Sequence, residues 1–285
     1  GGIGERAMPA DGAPPPEKRQ KRDERIVLWN KVGSDCPFVQ RDKIALIEKG
    51  IPFEEKQVEL AAEKRSQEFL DMYASMSLDP KASEKKLGKV PILEHGEPGT
   101  AGYVKLIESG VILEYIEDAW GDVGPRLRPR EPKAAAAMRL FSEAFAQMMP
   151  MKTIFGKSVE ELQGHLRDYA QGMRMADRCL RLYGLEGGPF VLGPLFSQAE
   201  CLAAPFVVRA DAHLKEFRGV DPKQLALDLE CHRLHRWFCA VLAHPSVVKT
   251  SEGFDPAGIK KVHPEWFKCD AHLNYKVVDG EVTFV

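Results

Sequence analysis

No stretch of this chain is apolar over the roughly 18–20 residues that cross a bilayer, so stable membrane insertion is not expected. No Cys-x-x-Cys occurs either. The six cysteines stand at 36, 179, 201, 231, 239 and 269 without paired short spacings, which argues against a disulfide framework and a structural zinc site. Reduced thiols persist in a reducing compartment, so the cytoplasm is the expected location. The chain shows no signal-peptide pattern and does not begin with Met, and an organellar leader ahead of residue 1 is left open. Neither charge sign is in excess. Lys and Arg number 40 against 42 Asp and Glu, a net charge of −2, and without a basic surplus nucleic acid is not an expected partner. Internal repeats are absent.

What is present suits two compact domains. A length of 285 residues exceeds one ordinary domain, and 44% hydrophobic residues suffice for real cores. Residues 1–24 are rich in Gly, Pro and Ala and end in the charged run Glu17–Glu24, too polar to offset the entropy of ordering, so a disordered tail is expected there.

The chain then reads β-α-β-α-β-β-α. Strand Ile26–Asn30 leads to a helix over 37–49 that Gly50 stops. A polar, edge-like strand Pro52–Leu60 and a helix from about Lys64 to Met76 follow. Strand Val90–Leu93 carries Pro91 near its start, which marks an edge, a bulge or a cis bond. Strand Tyr103–Ile107 precedes a helix for which Ser109 is a good cap. Strands joined by a crossover helix are expected to be parallel and the last two antiparallel, giving a small mixed sheet over 25–120.

A Gly- and Pro-rich linker, 121–132, leads to helices alone over 133–252. Among them are Lys133–Met149, Ser158–Tyr183, one opened by the capping box Ser197-x-x-Glu200, and Pro222–Leu242 ended by His244-Pro245. Residues 253–285 read as an extension, irregular apart from a hairpin expected at Asp279-Gly280. Cys231, His232, His235 and Cys239 have helical spacing that metal binding would need. An amphipathic helix explains them better, and no metal is expected.

The chemistry concentrates at Gly33-Ser34-Asp35-Cys36-Pro37-Phe38-Val39-Gln40-Arg41. Pro37 suits the first helical position and puts Cys36 at or next to the N-cap. A sulfur there meets unpaired N–H groups and the positive helix end, which favour thiolate. A dithiol site would need Cys at 39, where Val39 stands. Redox chemistry here would therefore use one thiol and an external partner. The same corner also suits a buried capping cysteine without reactivity, and the local pattern does not choose between them. Asp35, a negative neighbour, opposes the thiolate.

Three segments together decide the reading: Asp35–Arg41, Lys89-Val90-Pro91-Ile92-Leu93-Glu94, and Glu108-Ser109 followed by Ile112, Tyr115 and Ile116. With Phe190-Val191-Leu192-Gly193 before Ser197-x-x-Glu200, and His244-Pro245 before Val247, they resemble the cysteine-type branch of the cytosolic glutathione transferases. That branch holds the omega and lambda classes, dehydroascorbate reductases and the related chloride intracellular channel proteins. The resemblance covers roughly 25–250. It implies a fold of α/β plus all-α type: a thioredoxin-like domain with a mixed four-stranded sheet, then a helical bundle domain. It implies glutathione as co-substrate, Cys36 as the catalytic nucleophile, and a glutathione site made by Pro37, Phe38, Lys64, Val90, Pro91, Glu108 and Ser109, with the Val90-Pro91 bond cis. Glu108 would pair with the γ-glutamyl ammonium, and Ser109 with the helix end would take its carboxylate. The expected reactions are thiol transfer, deglutathionylation and dehydroascorbate reduction on a small-molecule or protein-thiol second substrate. A two-fold homodimer is implied. A non-catalytic or channel-like protein of the same fold is the alternative reading, and a conjugating enzyme is disfavoured because position 36 lacks Ser or Tyr.

Overall fold

The structure is a computed structural model that describes residues 25–33, 36–148 and 151–285. The tail expected over 1–24, Ser34, Asp35 and Met149 lie outside those residues.

Strand β1 (Ile26–Lys31) is an almost unbroken apolar run, and it is buried along its length because it is central. The sheet order is β2-β1-β3-β4, with β2 at Glu54–Val58, β3 at Ile92–His95 and β4 at Val104–Ile107. The charged strand β2 does occupy an edge. It runs parallel to β1, with Leu28 opposite Glu55. The crossover rule fails at β3, which is antiparallel to β1 (Leu28 opposite Leu93) and hence to β2. The reason is the length of chain after helix α2 (Gln67–Met76): the irregular segment 77–91 carries the backbone back, so β3 enters from the other end. The turn into β4 gives the expected antiparallel pair.

Helix α1 (Pro37–Lys49) has Pro37 at its first turn, and Gly50 at its end takes φ 63. Its N–H returns to the carbonyls of Ile47 and Leu46, a cap that a side chain would strain. Val39, Ile44, Ala45 and Leu46 are buried against the sheet and the helical half. Each of the larger three stabilises by roughly 1.5–3 kcal/mol. Helix α3 (Ser109–Trp120) buries Ile112, Leu113, Ile116 and Trp120 on the same core.

Lys49 ends α1 fully buried. Its ammonium meets the Glu117 carboxylate at 2.9 Å and the carbonyls of Trp120, Val123 and Pro125 at 3.0, 3.3 and 3.2 Å. The linker after α3 is thus pinned onto the end of α1. Gly124 is required there: its φ is 65, and a Cβ would lie 2.6 Å from the Lys49 carbonyl oxygen.

The helical half comprises α4 (Pro132–Ala146), the short α5 (Met151–Ile154), α6 (Val159–Tyr183), α7 (Gln198–Arg218), α8 (Pro222–Asp228), α9 (His232–Ala243) and α10 (Pro245–Thr250). The single helix expected over Pro222–Leu242 is two. Glu230 adopts φ 58, which breaks the helix, and Cys231 starts the next one. The Ser197–Glu200 capping box forms at the start of α7. Glu200 is fully buried and accepts from Ser197 N, Ser197 Oγ, Val191 N and Trp237 Nε1 at 2.9, 2.6, 2.8 and 3.0 Å. Trp237 packs with Phe141 and Phe145 and is core.

The chain beyond α10 is more ordered than expected. It holds α11 (Gly258–Val262), a turn of 3-10 helix at Pro264–Trp266, and a hairpin of β5 (Tyr275–Val278) and β6 (Glu281–Phe284) turning at Asp279-Gly280, both at positive φ. Buried Arg218 ties it down, donating to the carbonyls of Ala271, Thr153 and Ile154 at 3.2, 3.1 and 2.5 Å. Among the described residues no helix is long and apolar enough to cross a membrane, and no cluster of three or more His, Cys, Asp or Glu is placed to hold a metal ion.

Candidate functional site

Cys36 is the N-cap of α1, half-buried, and its carbonyl accepts from Gln40 N at 3.1 Å. No disulfide engages any of the cysteines. Burial pushes the Cys179 thiol up, Cys231 to about 11, and fully buried Cys201 well above its usual value, so these three resist becoming thiolates. Cys36 instead combines partial exposure with a helix N-terminus.

Beside this corner lies a cavity of about 170 Å3. Phe38, Val90, Pro91, Glu108 and Ser109 line it, together with Tyr73, Lys89 and Ile107. Helices α1, α2 and α3, strand β4 and the segment ahead of β3 supply these residues. The Val90-Pro91 peptide is cis, directly ahead of β3. Glu108 caps α3 at φ 71 and ψ 106, a conformation that costs a non-glycine residue on the order of 1–3 kcal/mol and clusters at ligand sites. Ser109 is buried at the first position of α3, where backbone N–H groups lack helical partners.

Arg41 binds this assembly to the helical half. Its Nη1 donates to Ser109 Oγ at 3.2 Å and its Nε to the Leu202 carbonyl at 2.9 Å. The guanidinium lies 5.2 Å from the centre of the Phe38 ring and 4.8 Å from that of Phe206, and those rings meet edge to face. Burial draws Arg41 down to about 10, with Asp42 and Cys36 acting the other way, so it stays cationic at neutral pH. One helical turn past Cys36, Gln40 donates to Thr250 Oγ1 and Ser251 Oγ at 3.1 and 3.0 Å and accepts from Arg209 at 2.7 Å. Helix α1 is thereby held from behind by α7 and α10.

The family described as "Glutathione S-transferase, N-terminal domain" matches residues 24–118. A glutathione S-transferase of Pseudomonas putida is 30% identical over 189 residues, which span 63% of this chain and 73% of the relative. This chain belongs to the glutathione S-transferase family. Glutathione S-transferase F14 of Arabidopsis thaliana is 29% identical over 60% of this chain and 65% of its own length, and a second Arabidopsis transferase, U17, is matched over only 38% of its length. The chain thus spans less than two thirds of these two plant relatives. The crystal structure of glutathione transferase Omega 3C from Trametes versicolor superposes with a TM-score of 0.64 and 28% identity, covering 88% of this chain and 94% of that one. The probable glutathione S-transferase DHAR1, cytosolic, of Oryza sativa subsp. japonica is 25% identical over 76% of this chain and 84% of its own length.

Within the family fold, most of the site residues expected from sequence lie together. Phe38, Val90, Pro91, Glu108 and Ser109 share one cavity, and Cys36 and Pro37 form the helix corner that Phe38 extends. Lys64 does not join them. It sits exposed in a 3-10 turn, Ala62–Lys64, outside the cavity lining, and the lysine in the lining is Lys89. Arg41 and Tyr73 were not among the expected site residues; the helical spacing of Tyr73 reads as core, and it is buried there as well as lining the cavity. Arg41 stood inside the quoted motif, but nothing local showed that it turns toward Ser109.

Asp42, next to Arg41, is fully buried, and neither carboxylate oxygen has a hydrogen-bond partner among the described residues. Burial raises it well above the usual range, and Arg41 offsets only part of this. A carboxyl raised on folding contributes stability below its unfolded value of about 4 and loses it as pH rises through the folded value. Asp42→Asn is therefore expected to stabilise the protein near pH 8 and flatten the decline in Tm between pH 4 and 8. Thermal unfolding across that range is the measurement, and an unchanged slope in the variant would contradict this account.

Proposed function

We propose that this chain is a glutathione-dependent thiol transferase, or dehydroascorbate reductase, acting through a Cys36–glutathione mixed disulfide. One observation carries the reading: a half-buried cysteine caps a helix beside a cavity whose walls are a cis-proline strand entry and a strained helix N-terminus. The pieces fit the parts of glutathione. The edge at Val90 and Pro91 suits backbone pairing with the cysteinyl residue. Glu108 suits the γ-glutamyl ammonium, and the start of α3 with Ser109 suits its carboxylate. Lys89 at the cavity is better placed than Lys64 for a carboxylate at the other end.

The chemistry needs two displacements. The Cys36 thiolate attacks the glutathionyl sulfur of a substrate mixed disulfide R–S–S–G. A Cys36–glutathione disulfide forms and R–S⁻ leaves, taking a proton from water. A second glutathione thiolate then attacks that glutathionyl sulfur, releasing oxidised glutathione and restoring the Cys36 thiolate. With dehydroascorbate the two electrons come from two glutathione molecules. Val39 occupies the position a resolving cysteine would need, which supports a requirement for external glutathione.

Incubation with oxidised glutathione followed by peptide mass spectrometry tests the site. A single glutathione adduct at Cys36 is expected. No adduct, or adducts on Cys239 and Cys269 with none on Cys36, would overturn it.

A further inference from the structure

We propose that Arg41 is the residue that makes the Ser109 end of the cavity selective for a carboxylate, by fixing which way the Ser109 hydroxyl donates. The inference rests on the reading of the cavity as a glutathione site and concerns the γ-glutamyl α-carboxylate.

A hydroxyl has one proton and two lone pairs, whereas guanidinium carries only donors. At 3.2 Å from Arg41 Nη1, Ser109 Oγ must spend a lone pair as acceptor. Its single proton is then turned away from Arg41, and Ser109 is part of the cavity wall. Donation from a cation polarises the hydroxyl and strengthens it as a donor in turn. Ser109 also opens α3, whose first N–H groups are donors as well. The Ser109 hydroxyl and the first N–H groups of α3 are donors at that end of the cavity, with the half-buried Arg41 guanidinium behind them. An acceptor of negative charge satisfies such a site, and an ammonium or an amide N–H does not.

Arg41 is built in to do this. Its Nε is committed to the Leu202 carbonyl at 2.9 Å, and its planar group lies against Phe38 and Phe206. Leu202 and Phe206 belong to α7, so the helical half holds a cation in register with a residue of the sheet-bearing half. Arg41 acts through Ser109 and is a positioning residue.

The test compares glutathione with an analogue lacking only the γ-glutamyl α-carboxylate, by calorimetry on the full chain and on Arg41→Gln and Arg41→Lys. Wild type is expected to prefer glutathione. Arg41→Gln should bind glutathione at least about tenfold more weakly, as for loss of a charge-assisted hydrogen bond, and the analogue nearly unchanged. Arg41→Lys keeps the charge and the aliphatic stem without the fork, so it is the variant that preserves packing. It should restore part of the lost preference. Equal weakening for both ligands would mean Arg41 serves packing alone, and unchanged preference in a folded Arg41→Lys and Arg41→Gln would likewise overturn the proposal. Should wild type fail to bind glutathione at all, the reading of the site itself falls. Wild-type binding without any preference between the ligands removes only the role of Arg41.

Discussion

Cys36→Ser is expected to lower glutathione-dependent reduction of a mixed disulfide by about a thousandfold or more, because a serine hydroxyl cannot form the covalent intermediate and no other thiol takes over. Four of the other five cysteines are poorly placed to replace it. Cys179, Cys201 and Cys231 are buried, and burial disfavours the thiolate. Cys239 has its sulfur 3.6 Å from His235 on α9, in the helical half and away from the cavity lining. Binding should survive the substitution, since the cavity walls are untouched. Serine at this corner also suits stabilisation of the glutathione thiolate itself, so conjugation to a chlorinated aromatic should rise above the wild-type level. Steady-state assays of both reactions, with binding measured separately, check the pattern. Retention of disulfide reduction in Cys36→Ser would leave only the alternative of a family-fold binding protein with incidental thiol chemistry elsewhere.

Lys49→Met should cost roughly 3–5 kcal/mol of stability, the range for removing one partner of a buried ion pair. Lys49 is fully buried and Glu117 is 2% exposed. Removing the ammonium leaves the Glu117 carboxylate with the Leu127 N–H at 3.2 Å and half-exposed Arg126 at 3.6 Å. It also leaves the carbonyls of Trp120, Val123 and Pro125 without their shared donor. At about 2–4 °C per kcal/mol for a chain of this size, Tm should fall by roughly 10 °C. Adding Glu117→Leu should recover part of the loss, because an apolar pair of similar volume removes the stranded charge. Denaturant unfolding of the single and double variants measures this. A single variant within about 0.5 kcal/mol of wild type, the usual range of a surface change, would show that the linker is held by other means.

Cys36 caps α1 and Lys49 ends it, yet only the first is visible in the sequence. Cys36 announces itself: a cysteine before Pro37, after an apolar strand, can occupy little but a helix cap. Lys49 gives no such signal. At the end of a helix it reads as a solvated charge favoured by the dipole, and only the folding of the linker over it makes it a buried hub. Asp42 is similar, since a carboxylate in an amphipathic helix is ordinarily placed on its wet face.

The limits of α1, the Ser197–Glu200 box and the Asp279-Gly280 turn were determined by the amino-acid order itself, because capping, turn geometry and helical periodicity act within a few residues. Tertiary structure alone decided the direction of β3, the break at Glu230, the choice of Lys89 over Lys64 at the cavity, and the meeting of Arg41 with Ser109. That last pair is 68 residues apart in sequence. Contacts of this kind depend on how separate elements pack, and burial, which sets the strength of a charge or hydrogen bond, exists only once they have.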